Sequence, residues 1–141
     1  DDLARRLLWD EFEVLLPGEE AARALREAYD RKFPGLYGHV AGRTVVIDAA
    51  VEAALARGLQ QVVLLGAGLD SRAYRLNAPA AARWFEVDMP ESQADKRRAL
   101  KAAGVAADGV TFLPVNFEAD SLEERLRACP EFDAGAPPES R

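Results

Sequence analysis

From residue 1 to about Leu59 the apolar positions recur at helical spacing. Leu3, Leu7, Leu8, Phe12 and Leu15 fall three and four apart until Pro17-Gly18 breaks the run. A second helix fits Glu19 to Lys32, with acids in its first turn and Arg31-Lys32 in its last, the order that the helix dipole favours. Phe33-Pro34-Gly35 ends it. The stretch "LYGHVAG" reads as a loop or the start of a helix. A third helix follows, with Val40, Ile47, Val51 and Leu55 on one face and Gly58 as its C-cap. Beyond it the period changes. "QVVLL" is short, β-branched and apolar without alternation, as a strand covered on both faces of a parallel sheet must be. "RWFEVDM", ending at Pro90, predicts a second strand and "GVTFLPV" a third. The segments between them read as helices: a short one after Asp70, a longer one from Glu91 to Ala103, and Ser121 to Ala128 after the third strand.

Helices alternating with buried strands predict an α/β fold, a parallel sheet with right-handed crossovers. Residues 1–59 form a helical cap before it, and residues 60–141 carry the sheet. Three strands are half of a doubly wound sheet, and an unfinished side exposes backbone edge and apolar face. Either further strands or another chain is expected to cover it, which makes a homodimer an open possibility. The chain starts without methionine and stops in "AGAPPESR", a Pro-rich connector, so it reads as a piece of a longer one.

Composition narrows the partners. The 141 residues, about half of them apolar, are enough for one globular domain with a core. With 24 acidic and 18 basic side chains, net −6, there is no electrostatic footprint for nucleic acid or an anionic membrane. Cys129 is the single cysteine, so neither an intrachain disulfide nor a cysteine zinc site can form, and a cytoplasmic setting is expected. No window approaches eighteen consecutive apolar residues, and "DDLARRLLWDEF" is too charged for a secretory signal.

The candidate chemistry lies in "LLGAGLDSRAYRL", directly after the first strand. Gly66 and Gly68 permit a tight turn and close approach of backbone to a ligand, as in a dinucleotide site. The third glycine of that fingerprint is missing. Asp70 stands near the start of the following helix, where an anion disfavours a phosphate, so the pattern points to a nucleotide-like ligand without phosphate at this loop. S-adenosylmethionine meets that requirement. Its ribose calls for an acid at the tip of the second strand, and "FEVDMP" supplies Glu86 and Asp88 about twenty residues past the glycines. The two acids share one strand face by alternation, and Asp88 is nearer the carboxyl end. The plainer alternative is a tight turn in which Asp70 caps a helix and Asp88 merely ends a strand.

Taken together, "RTVVIDAAVEAAL", "QVVLLGAGLDSRAYRL", "FEVDMPESQADKRRAL" and "VTFLPVNFE" resemble, in register, the leucine carboxyl methyltransferase family and its bacterial relatives, S-adenosylmethionine-dependent O-methyltransferases. The resemblance implies a Rossmann-like class I methyltransferase fold with an N-terminal helical cap, of which this chain covers about the first half. It implies that Arg43 grips the cofactor's carboxylate, a task suited to a guanidinium. Gly66, Ala67 and Gly68 then line the methionine moiety with Asp70 beside them, and Asp88, with Glu86 behind it, takes the ribose. Where the family usually has an aspartate and an apolar residue near adenine, this chain has Asn116-Phe117. An Asn carbonyl can still accept from the adenine amino group, without charge assistance.

Arg72 is expected to pair with Asp70 or a neighbouring carboxylate, and Tyr74 and Leu76 to be core. His39, the single histidine, and Tyr37 could line an acceptor pocket, but no catalytic residue is assignable. The acceptor, a small molecule or a carboxyl-bearing partner, is methylated on a carboxylate or a hydroxyl. Two alternatives stay open: a nicotinamide-dependent oxidoreductase, and a non-catalytic cofactor-binding remnant.

Overall fold

A computed structural model describes residues 19–136. The helix expected over Leu3–Leu15 lies outside the described residues, as do the side chains of Tyr37 and Val40. The chain runs α1 (Glu19–Lys32), α2 (Leu36–Ala56), β1 (Gln61–Leu65), α3 (Arg72–Arg75), β2 (Arg83–Asp88), α4 (Pro90–Ala102), β3 (Val110–Pro114) and α5 (Leu122–Arg127). The strands form one parallel sheet in the order β1-β2-β3. This is a Rossmann-like α/β arrangement, as the sequence pattern predicts.

Of the two readings of "LYGHVAG", the start of a helix is the one observed. Gly35, at φ 80°, reverses the chain in the left-handed region after Pro34, and α2 starts at the next residue. At its other end Arg57 caps the helix, and Gly58, at φ 99°, takes the left-handed position one residue beyond. The face expected to be buried is buried only in part. Leu55 is 3% exposed and Val51 packs against the same core, whereas Ile47 is exposed together with Val45 and Val46. The helix has 21 residues, about 30 Å at 1.5 Å per residue. Its C-terminal part reaches the sheet, and the stretch carrying Val45, Val46 and Ile47 stands clear of the core.

The central strand, β2, is covered on both sides: Trp84, Phe85, Glu86 and Val87 are all buried. Trp84 forms the core cluster with Leu55 of α2 and Val62 of β1, and Ala73, Leu76 and Val110 pack on it. On the opposite face Phe85 meets Phe132 edge-on, with ring centroids 5.4 Å apart. Met89 precedes α4 and Pro90 opens it, a position where the missing N–H costs nothing. Lys96 of α4 reaches the Glu86 carboxylate, and its ammonium lies 5.3 Å from the ring of Tyr74 on α3, so the two crossover helices cover the same face of β2. Among the described residues no helix is long and apolar enough to cross a membrane.

Candidate functional site

Parallel strands place their carboxyl ends together, and β1 and β2 deliver the glycine turn and Asp88 to one edge of the sheet. Gly66 and Gly68 have φ of 61° and 43°, left-handed values that side chains rarely adopt. Between them Ala67 is buried, and its N–H donates to the Val87 carbonyl at 3.2 Å. The Gly68 N–H donates to Asp88 Oδ2 at 2.5 Å, while Asp88 Oδ1 accepts from the Met89 N–H at 2.7 Å. A Cβ on Gly66 would meet no atom within 4 Å, and one on Gly68 would come no nearer than 3.9 Å to Asp88 Oδ2. The glycines are therefore required by backbone conformation, and the space beside them is open.

Asp70 closes this turn with its N–H on the Ala67 carbonyl at 2.6 Å. Its carboxylate is engaged by Arg72: Oδ1 accepts from the Arg72 N–H at 2.9 Å, and Oδ2 pairs with the guanidinium. Arg72 also bonds Asp48 of α2 through Nε at 2.7 Å, and Arg75 reaches the same carboxylate through Nη2 at 2.7 Å. The expectation that Arg72 pairs with Asp70 or a neighbour is met by both. Asp70's charge is thus matched within the protein, so the anion that a ligand meets at this turn is Asp88, whose oxygens face two backbone N–H groups.

Glu86 is not available to a ligand. Its side chain is fully buried, two residues back from Asp88 on the same strand face, and Lys96 Nζ closes on Oε2 at 2.7 Å. Of the two acids that the sequence offers for the ribose, Glu86 is therefore spent on Lys96, and Asp88 is the one at the rim. Alternation places both on one face, but α3 and α4 cover the inner position and leave the outer one at the rim. Burial pushes the Glu86 carboxyl above the usual carboxylate range, and Lys96 draws it back only in part. Gln93, one turn earlier on α4, donates to the carbonyls of Glu86 and Leu113 at 2.9 and 3.0 Å.

Tyr74 stacks its ring beside the Lys96 ammonium, and burial of its hydroxyl, then the Glu86 charge, push its phenol well above its ordinary 10. The unfolded chain loses that proton first, so this contribution to stability is complete below pH 10 and fades as pH rises past it. Absorbance titration should register no Tyr74 phenolate while the protein stays folded. Tyr74→Phe should remove part of the alkaline loss of stability, and an unchanged alkaline unfolding curve would count against the assignment.

At the end of β3, Asn116 builds a turn. Its Oδ1 accepts from the Glu118 N–H at 3.0 Å, and its own N–H donates to Asp120 Oδ2 at 2.8 Å. That backbone bond, then Arg125, hold the Asp120 carboxyl below its usual range. Phe117, 48% exposed, presents its ring at this edge. Arg43 and His39 are exposed on α2. A groove of about 440 Å³ lies at the opposite end of the sheet, between Gly58–Gln61 and Phe132–Ala136. β1 begins there, the wrong end of a parallel sheet for this chemistry.

The sequence profile of the leucine carboxyl methyltransferase family matches residues 1–138. The chain belongs to the leucine carboxyl methyltransferase family. It is similar to proteins named as candidate S-adenosyl-L-methionine-dependent methyltransferases. One from Streptomyces coelicolor is 47% identical over 75 residues, 53% of this chain and 24% of the relative. Others, from Mycobacterium marinum and Mycolicibacterium gilvum, are 37% and 40% identical over 100 residues, 71% of this chain and 31% and 40% of theirs. The matched segment thus spans well under half of each relative.

Within this family member the sheet edge brings Gly66, Ala67, Gly68 and Asp88 together. Asp48 and Lys96 are the supporting residues that sequence reasoning missed. Asp48 has a visible signal, a lone acid inside the apolar run "VVIDAAV". Lys96 has none, since "ADKRRAL" reads as an ordinary solvated helix face.

Proposed function

We propose that this protein is an S-adenosylmethionine-dependent O-methyltransferase and that the described residues contribute its cofactor site. The observation that carries the reading is Asp88. Its carboxylate sits at the tip of β2, bonded to the Gly68 N–H, beside left-handed glycines that open onto free space. A carboxylate so placed accepts hydrogen bonds from ribose hydroxyls, and the family membership and the names of the relatives support S-adenosylmethionine as the nucleoside it takes.

In this reading Gly66, Ala67 and Gly68 let backbone approach the methionine portion, and Arg43 binds its carboxylate. Asn116 and Phe117 serve the adenine, the ring by stacking and the amide through its remaining lone pair. When bound, the cofactor supplies an electrophilic methyl group on a cationic sulfonium. The protein's part is to align and to exclude water. A carboxylate acceptor is nucleophilic at neutral pH without a base, whereas a hydroxyl would need one.

Calorimetry on the intact protein tests the reading. S-adenosylhomocysteine should bind and NAD should not, and Arg43→Ala should weaken binding by about tenfold, the worth of one charge-assisted contact. Absence of S-adenosylhomocysteine binding, or protection by NAD in a thermal-shift assay, would overturn it.

A further inference from the structure

We propose that Lys96 is a positioning residue for the cofactor turn: from a buried site on α4, its ammonium holds the Asp70 carbonyl and so fixes the loop that carries Gly66, Ala67 and Gly68. The proposal rests on the methyl-donor reading for its effect on the cofactor, though not for its effect on the loop.

Lys96 is 1% exposed, and its Nζ donates to the Asp70 carbonyl at 2.6 Å while standing 2.7 Å from Glu86 Oε2. The Tyr74 ring lies beneath it, with Nζ 5.3 Å from the centroid. Lysines are almost never fully buried, and a buried ion pair is a weak source of stability compared with apolar residues of the same volume. The arrangement is better explained by what the ammonium reaches. Gln93 fastens α4 to the backbones of β2 and β3, so the base of Lys96 is rigid and its tip extends to the loop after β1.

The loop is thereby held along its length. The Ala67 N–H is bound to β2, the Gly68 N–H to Asp88, and the far end of the turn, at Asp70, to Lys96. Glycine backbone has the most conformational freedom to lose, so a turn pinned in advance loses less of it when a ligand arrives. Glu86 acts at one remove, by neutralising the buried ammonium.

Lys96→Met alone strands the Glu86 carboxyl and tests folding more than anchoring. The informative variant is Glu86→Gln with Lys96→Met, which removes both charges, set against Glu86→Gln alone, which keeps the anchor. In the intact protein, hydrogen exchange should accelerate at least tenfold for amides of residues 66–72 in the paired variant, with those of Phe85 and Val87 unchanged. S-adenosylhomocysteine affinity should fall about tenfold. Glu86→Gln alone strands the ammonium and should lower thermal stability, but it keeps the bond to the Asp70 carbonyl, so exchange at residues 66–72 and affinity should change far less than in the paired variant.

Wild-type exchange in the paired variant would overturn the proposal, as would a paired variant that does not fold or a Glu86→Gln that loosens the loop equally. If the wild-type protein binds no S-adenosylhomocysteine, the methyl-donor reading falls, and the exchange comparison still decides the anchor.

Discussion

Asp88→Ala should lower the affinity for S-adenosylhomocysteine by roughly a hundredfold, the largest effect expected of a single substitution at this site. Two losses combine. The ribose hydroxyls lose a charged acceptor, and the Gly68 and Met89 N–H groups, bonded at 2.5 and 2.7 Å, lose the carboxylate that holds the glycine turn against β2. Hydrogen bonds to charged groups contribute roughly 1.5–3 kcal/mol each, so removing the ribose contact and loosening the turn together amount to about 3 kcal/mol, or a factor of about one hundred. Asp88→Asn separates the two losses. Its amide keeps one oxygen for a backbone N–H but turns an NH2 towards a site that wants an acceptor, so its affinity should lie between those of wild type and Asp88→Ala. Calorimetry on the three proteins checks the order, and an Asp88→Ala affinity within twofold of wild type would remove Asp88 from the site.

The elements were legible where a single physical cause dominates. β1 is read from "QVVLL" to the residue, because a five-residue β-branched run without alternation has few other uses. α4 follows from Pro90 and its flanking strand ends. "LYGHVAG" was legible only as a loop or a helix start, because two glycines and a proline just before it weaken the helical signal. The site shows the same division. Alternation assigns Glu86 and Asp88 to one face, yet only the three-dimensional course of α3 and α4 separates a buried partner of Lys96 from a rim carboxylate. The Asp70–Arg72 pair was legible, two residues apart in the sequence, whereas the onward link from Arg72 to Asp48 of α2 spans more than twenty residues. Contacts of that kind leave no periodic trace.

Asp48→Ala should be the most costly change outside the ligand contacts, with an effect on both stability and cofactor affinity. α2 meets the sheet through Val51, Ala54 and Leu55 near its C-terminal end, and further along Asp48 binds Arg72 and Arg75 of α3. These side chains are 14–25% exposed, so solvent screens them less than a surface pair, and a carboxylate accepting from two guanidinium groups contributes about 2 kcal/mol. Removing it leaves the apolar contacts of Leu55 intact and the sheet folded. What changes is the hold on the part of α2 that carries Arg43, five residues before Asp48. Because Arg43 binds the cofactor's carboxylate in the proposed site, freeing that stretch of helix should weaken S-adenosylhomocysteine binding severalfold even though Asp48 touches no ligand. The double variant Arg43→Ala with Asp48→Ala decides whether the effect runs through Arg43: if it does, the second substitution adds almost nothing to the first in binding, while the two remain additive in thermal stability. Additive losses of affinity would mean that Asp48 acts through Arg72 and the glycine turn instead.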